Sequence, residues 1–411
     1  MRRVVVTGLG AVTPVGLDVP QTWNSLISGR HGIAKITRFD LEGFKATLAA
    51  EVKDFDPTLY MDKSEVRRSD LFTQFALAAA VQAVADSGIE GTIAPERFGV
   101  YSGSGVGGLI TISNEIEKLI TKGPKKVSPL FIPMMIANIA TGTIAIRFNA
   151  KGPSLPVVTA CATSTNAVGE AYRAILHGYA DAIIAGGSEA TITPIGIAGF
   201  TNCMALTTSD DPDTASIPFD KRRNGFLMGE GAGMLILEEY ERAKARGAKI
   251  YAELVGYSST NDAYHITAPA PDGESAALAI AQTFEQAKGE RAQCIYINAH
   301  GTSTPMNDKT ETAAIKKALG EDRARKAVIS STKSMTGHML GATGALEAIV
   351  AVLSLKEGVA PPTVGLKEPD PECDLDYAPN LKREAPFDLA LSNSLGFGGH
   401  NACLAFVRAE D

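Results

Sequence analysis

The feature that most constrains the fold is a list of short β-type runs that occurs twice. Compact apolar runs bounded by glycine or polar residues fall at residues 3–7, 98–102, 155–159, 182–185 and 233–237. A second series follows at 251–257, 294–298, 327–331, 389–392 and 403–407. Such runs read as strands. Between them the apolar spacing predicts helices at 70–86, 161–177, 275–288, 309–319 and 344–357. Strands alternating with helices, twice over, predict an α/β fold built from a duplicated unit, one copy in residues 1–249 and the other in 250–411. The join at 240–249 reads as a charged helix end running into a strand, so no flexible linker is expected. Three segments lack strong periodicity: 104–137 reads as a cap with apolar elements, 207–223 as a polar loop, and 360–386, rich in proline and acids, as a surface crossing.

The length of 411 residues suffices for a large core, and the net charge of −7 argues against bulk nucleic-acid binding. Cysteines 161, 203, 294, 373 and 403 form no CxxC pair, so neither a zinc ribbon nor a disulfide framework is indicated and a reducing cytoplasm fits best. The three valines after Arg2-Arg3 end at Thr7-Gly8, which reads as a first strand and not as a signal peptide. No apolar run is long enough to span a bilayer, and Glu347 interrupts the nearest candidate at 345–355.

Reactive residues cluster where strands end. Val157-Val158-Thr159-Ala160-Cys161-Ala162-Thr163 carries a thiol from a strand into the start of a helix, where unpaired N–H groups and the helix dipole favour thiolate; the competing reading is a small buried hydrophobe. His300, in Asn298-Ala299-His300-Gly301-Thr302-Ser303-Thr304, closes a strand of the second series, a better place for a site than for a core. His338 follows Lys333 by five residues in a turn that opens the 344–357 helix, and the cation would keep that imidazole neutral. Gly396-Phe397-Gly398-Gly399 reads either as a movable gate able to aim a backbone N–H at an oxyanion or as a simple hairpin. His31, His177 and His265 have no such surroundings. Gly103-Ser104-Gly105-Val106-Gly107-Gly108 matches the dinucleotide fingerprint, yet it is not the first strand–helix turn and lacks the following acidic residue, so a turn or backbone-approach role is favoured. Lys63, Arg67, Arg68, Lys125 and Lys126 form short basic clusters in an acidic chain, ordinarily solvated surface.

Taken together and in order, Thr159-Ala160-Cys161, Asn298 to Thr304, Ser331 to His338 and Asn393 to Gly399 resemble the elongating, type II β-ketoacyl-[acyl-carrier-protein] synthases of the thiolase superfamily. The resemblance implies a thiolase-like fold, two similar halves stacked as five α-β-α-β-α layers with mixed sheets, and a homodimer. It implies an acyltransferase of fatty-acid synthesis in which Cys161 takes the acyl group from an acyl carrier protein and malonyl-carrier protein then loses CO2 and condenses with it. His300 and His338 would stabilise the enolate, Cys161 and Phe397 N–H groups would form the oxyanion hole, and Lys333 would set the electrostatics with Glu311 as its ion-pair partner and Asp308 in support. Thr302, Thr304 and Thr267 would meet the carrier's pantetheine arm; Val106, Phe131, Phe200 and Gly398 would line the acyl and substrate site, Phe131 reaching it from the partner subunit. The basic clusters would dock the acidic carrier. No metal or cofactor is expected, the 4′-phosphopantetheine being the carrier's.

Two positions depart from the pattern: His400 stands where threonine is expected beside the gate, and Thr201-Asn202-Cys203-Met204 lacks an expected entrance arginine. A thiolase would need a second catalytic cysteine, but Cys403 reads as a buried strand residue; a Cys–His–Asn starter or plant-like enzyme would lack the Lys333 to His338 motif. A polyketide ketosynthase would share the chemistry, and an inactive chain-length partner subunit would lack Cys161.

Overall fold

The computed structural model describes residues 2–409. Ten strands form the framework: β1 (Val4–Val12), β2 (Phe98–Gly103), β3 (Ser154–Val157), β4 (Ala182–Glu189), β5 (Gly231–Glu239), β6 (Ala252–Asn261), β7 (Ile295–Asn298), β8 (Val328–Ser330), β9 (Leu389–Gly396) and β10 (His400–Val407). Each of the ten runs expected from sequence is a strand. Within the first five the order is β3-β2-β4-β5-β1, and within the second β8-β7-β9-β10-β6, the same permutation. The pairing directions repeat as well: the first three in each order are parallel and the last two antiparallel. Even the register slip recurs, with Thr7 left out of the β1–β5 ladder and Val255 out of β6–β10, each the fourth residue of its strand. The two sets join through β1 and β6, antiparallel, where Val4, Val5 and Val6 face Leu254, Glu253 and Ala252.

Five main helices complete the layers: α1 (Leu71–Ser87), α2 (Thr163–Leu176), α3 (Glu274–Gln286), α4 (Pro305–Leu319) and α5 (Thr343–Glu357). Asp70 caps α1 by accepting from the Phe72 N–H, and Gly88, at φ 61°, ends it in the left-handed region that glycine tolerates. Helix α4 starts earlier than its apolar spacing suggests, because Pro305 sits at the first helical turn, where its missing N–H costs nothing. Helix α1 packs on β1, β4 and β5 on one outside face, and α3 on β6 and β10 on the other. Between the sheets lie α2 and α5, touching each other and both strand sets. Helix α5 is buried all round from Thr343 to Leu355, as a central layer requires. The result is the five-layer thiolase-like arrangement, its largest apolar cluster in the middle around Val168, Ile175, Ile349 and Val352.

The cap segment after β2 carries the helix Leu109–Lys122 and a short one at Phe131–Met135. The 207–223 stretch has neither helix nor strand, and 360–386 is irregular apart from a two-residue pairing of Val359–Ala360 with Arg383–Glu384. No helix among the described residues is long and apolar enough to cross a membrane.

Candidate active site

Parallel strands place their carboxyl ends on one side, and the reactive residues all follow such ends. Cys161 comes after β3, His300 after β7, His338 after β8 and Phe397 directly after β9. All four line one cavity of about 440 Å³ with Phe200, Phe226, Thr267, Thr302, Thr304 and Leu340.

Cys161 occupies a tight turn, Ala160–Ala162, abutting α2. Ala160 takes φ 49°, a strained value for a residue with a Cβ, and the turn is pinned from both sides. Thr163 Oγ1 accepts from the Thr159 N–H at 2.9 Å, and Asn166 Nδ2 donates to Thr159 Oγ1 at 2.7 Å. Gly396 closes over the turn so tightly that a Cβ there would stand 2.9 Å from the Thr159 carbonyl oxygen and 3.2 Å from the Cys161 nitrogen. The thiol differs from expectation. Burial beside Phe200, Phe226 and Leu340 pushes it up to about 12, outweighing the downward pull of Lys333 and of the Phe397 and Cys161 N–H groups that face the sulfur.

The two imidazoles stand edge to face, centroids 5.3 Å apart. Burial, then the Lys333 charge, holds both well below 6.5, so both are neutral. His338 Nδ1 meets Thr343 Oγ1 at 3.1 Å, while its Nε2 and His300 Nδ1 are buried and have no partner among the described residues. An unpartnered buried ring nitrogen costs free energy unless a ligand takes it. The site therefore combines a neutral thiol, two neutral imidazoles and two N–H groups aimed at the sulfur, a set suited to moving a proton and holding an oxyanion.

Lys333 pairs with Glu347, not with Glu311: Nζ lies 2.5 Å from Glu347 Oε1, both side chains at most 1% exposed. Glu311 is turned to the backbone, accepting from the N–H groups of His300 at 2.7 Å and Gly301 at 2.8 Å, and so fixes the histidine's main chain. Asp308 supports the neighbouring loop by accepting from the Phe219 N–H at 2.8 Å. Thr302 and Thr304 share a hydroxyl contact of 2.9 Å on the cavity wall. Thr267 lies at the mouth on a loop held by His265, whose Nδ1 accepts from the Thr267 and Ala268 N–H groups, both at 3.1 Å.

Other expected residues stand apart. Val106 is 40% exposed and Phe131 half-buried, and neither lines the cavity, because both belong to the cap segment. Gly398 is a turn residue at φ 84° whose N–H donates to the Ile266 carbonyl; its neighbours Phe397 and Gly399 face the cavity instead. The Gly396–Gly399 stretch is a hairpin turn, Gly396 pairing with His400, and it presents the Phe397 ring inward. His400 starts β10 and lies outside the lining. Lys63, Arg67, Arg68, Lys125 and Lys126 are exposed.

The glycine motif at 103–108 cradles a carboxylate of the chain itself. Glu189 accepts from Ser104 Oγ at 2.7 Å and from the N–H groups of Gly105 and Gly341 at 2.8 and 3.0 Å, while burial raises its carboxyl to about 7. Sequence reading missed Glu189 and Glu347. A carboxylate in the apolar 345–355 run had to find a buried cation, and that was the available signal for the second.

The Beta-ketoacyl synthase, N-terminal domain, family matches residues 1–243, and the Beta-ketoacyl synthase, C-terminal domain, family matches residues 251–367. The chain belongs to the β-ketoacyl synthase family. This synthase is 53% identical over 411 residues, 100% of its length and 99% of the relative's, to the 3-oxoacyl-[acyl-carrier-protein] synthase 2 of Synechocystis sp.. It is 51% identical over 410 residues, 100% of its length and 99% of the relative's, to the protein of the same description from Staphylococcus aureus strain COL. Among solved structures, a β-ketoacyl synthase from Burkholderia phymatum matches at TM-score 0.91 and 34% identity, and a type II polyketide ketosynthase in complex with its acyl-carrier protein at 0.90 and 36%, all chains covered in full.

Proposed function

We propose that this β-ketoacyl synthase elongates fatty acids by decarboxylative condensation, and that its substrates arrive on an acyl carrier protein. The observation that carries the reading is the convergence on one cavity of Cys161, two N–H donors and two neutral imidazoles, each with one buried ring nitrogen that has no partner among the described residues. In the first stage the Cys161 proton passes to an imidazole as the sulfur attacks the acyl thioester. The oxyanion accepts from the Cys161 and Phe397 N–H groups, and collapse expels the arm's thiolate, which takes the proton back. In the second, the bond from the malonyl Cα to its carboxylate breaks, CO2 leaves, and the electron pair forms an enolate whose oxygen accepts from His300 and His338. Its carbon attacks the acyl-Cys161 carbonyl, and Cys161 leaves as thiolate with the β-ketoacyl carrier as product.

The arm would pass Thr267, Thr302 and Thr304 to reach Cys161, while Lys63, Arg67 and Arg68 on the helix Lys63–Arg67 and at its end, with Lys125 and Lys126, would meet the acidic carrier. A homodimer accounts for an exposed apolar edge: β3 is hydrogen-bonded on one side only, and Leu155 on it, Val158 just after it and Ile146 on the helix Ile139–Arg147 packed against it are 42–84% exposed. Phe131 would then reach the neighbour's acyl group. A reducing, cytoplasmic setting keeps Cys161 a free thiol. The polyketide reading rests on structural relatives at 36 and 37% identity, below the 53% of the fatty-acid type.

Malonyl-carrier protein with acyl-carriers of graded length, followed by mass spectrometry of the Cys161 peptide, tests the proposal. The expected result is CO2 release, a chain longer by two carbons and an acyl adduct on Cys161 that Cys161→Ala abolishes; turnover by Cys161→Ala would refute it.

A further inference from the structure

Three cations follow one another at Lys221-Arg222-Arg223, in the polar stretch before β5, and they are not placed alike. Lys221 and Arg222 are exposed, whereas the Arg223 side chain is 3% exposed. A buried guanidinium is costly unless its charge and its donors are met. Those of Arg223 are met largely by the turn that follows β7. Its Nε donates to the Thr304 carbonyl at 3.3 Å and its Nη2 to the Pro305 carbonyl at 3.1 Å. Its Nη1 donates to the Asp220 carbonyl at 2.9 Å and to Asp370 Oδ2 at 2.5 Å, and Asp308 Oδ2 stands 3.5 Å from Nε.

The neighbours of Arg223 hold Ser303 in the same turn. Gly225 N–H donates to the Ser303 carbonyl at 3.1 Å, Ile217 N–H donates to Ser303 Oγ at 3.0 Å, and Asp308 accepts from the Ser303 N–H. Ser303 takes φ 69°, a value that a residue with a Cβ keeps only where its surroundings enforce it. It lies between Thr302 and Thr304, whose hydroxyls meet at 2.9 Å on the wall of the cavity. Asn307, on that same wall, donates to Asp308 Oδ1 at 3.0 Å. Residues 217–225 thus form a cast around the turn, and within it Arg223 joins the start of α4 to the 360–386 crossing through Asp370.

We infer, on the reading of the cavity as a condensing site, that Arg223 is a positioning residue for the carrier's arm: it fixes Thr302 and Thr304 at the spacing at which their hydroxyls receive the arm's amide groups. The role needs a fork of donors. A lysine keeps the charge but offers one nitrogen, which cannot serve the Thr304, Pro305 and Asp220 carbonyls and Asp370 together. Ser303 then relaxes from its left-handed backbone, the two hydroxyls part, and the arm loses a hydrogen bond. His300 keeps its place through Glu311, and Cys161 and His338 stand at other strand ends.

The test follows Cys161 acylation by intact mass in the full-length protein with three donors of the same acyl group: acyl-carrier protein, acyl-phosphopantetheine, and the S-ethyl thioester, which has no arm. Arg223→Lys is expected to raise KM for the two arm-bearing donors by about two- to twelve-fold, the worth of one hydrogen bond. The maximal rate and the S-ethyl thioester reaction should change less, the pattern of lost ground-state binding. Asp370→Asn leaves the guanidinium among its carbonyls and is expected to move the same KM values in the same direction; it is the variant to read if Arg223→Lys does not fold. In a Thr302→Ala/Thr304→Ala background Arg223→Lys should add little, because the hydroxyls it positions are gone. An unchanged KM for acyl-phosphopantetheine in whichever variant folds, an equal change with the S-ethyl thioester, or an undiminished effect in the alanine background overturns the role of Arg223 while leaving the condensing activity standing; no acylation of Cys161 in the unaltered protein overturns both.

Discussion

Replacing Glu347 by alanine leaves the Lys333 ammonium without a counter-charge at a site where it is 1% exposed. Removing one partner of a buried pair costs about 3–5 kcal/mol, because the remaining charge stays desolvated. A surface pair would cost less than about 1 kcal/mol. Against a typical total of about 5–15 kcal/mol, Glu347→Ala should lower the urea midpoint severely. Lys333→Met/Glu347→Leu removes both charges at similar volume and should return to within about 1–2 kcal/mol of the parent. That double variant separates folding from chemistry. His300 and His338 are held below 6.5 first by burial and then by Lys333, so without the lysine they take up protons at higher pH and the acid limb of malonyl decarboxylation moves up. A histidine with a folded pKa below its unfolded value binds fewer protons when folded, so its contribution is full above about 6.5 and is lost as pH falls. The double variant should lose less stability on acidification than the parent. Urea titrations at several pH values and a decarboxylation pH profile measure both effects. A cost for Glu347→Ala below about 1 kcal/mol, or an unmoved acid limb in the double variant, would refute the reasoning.

Gly396→Ala places a methyl group 2.9 Å from the Thr159 carbonyl and 3.2 Å from the Cys161 and Ala162 nitrogens. It should slow acylation of Cys161 by about tenfold or more in a time course of intact mass, and an unchanged rate would show that the close approach is dispensable. Arg67→Glu/Arg68→Glu should raise KM for carrier-borne substrates at low salt while sparing a small acyl thioester, with the difference fading as salt rises; equal effects on both substrates would remove the docking role. Cys203 is exposed and lines the mouth, whereas Cys373 and Cys403 are buried. A bulky maleimide should therefore label Cys203 before these two and obstruct the carrier's arm, and first labelling of Cys373 or Cys403 by peptide mapping would contradict the exposure order.

Strand content and the placing of Cys161, His300, His338 and Phe397 were legible because short-range chemistry sets them: an apolar run ends, and glycine or hydroxyl residues turn the chain. The partners of buried charges were not, since they depend on which segments meet. Glu311 is eleven residues from His300 along α4 and reaches the backbone of the β7 end, while Glu347, one turn inside α5, takes Lys333. The thiol's ionisation was misjudged for a related reason. A helix start can be read from sequence, but the phenyl and leucyl side chains that dry the sulfur arrive from residues 200, 226 and 340. The glycine motif at 103–108 was readable as a turn, yet its ligand, Glu189, lies at the end of another strand.

The duplication also accounts for there being one nucleophile instead of two. The turn Ala160–Ala162 before α2 has its counterpart in Leu340–Ala342 before α5, and their first residues share the left-handed backbone, φ 49° and 45°. Cys161 therefore corresponds to Gly341. The fourth strands end, in the same relation, at Glu189 and Gly396. Beside Cys161 the strand ends in glycine, which leaves space over the sulfur and brings the Phe397 N–H to it. Beside Gly341 it ends in glutamate, whose carboxylate fills that space and accepts the Gly341 N–H at 3.0 Å. The N–H that would face an oxyanion in a second site is already satisfied by a fixed carboxylate, and a side chain at 341 would collide with it, since a Cβ there stands 2.8 Å from Glu189 Oε2. Two equivalent turns thus carry opposite assignments, one open to an acyl group and the other closed by the chain's own acid, and Glu189 joins the closed turn to the cap segment that borders the open one.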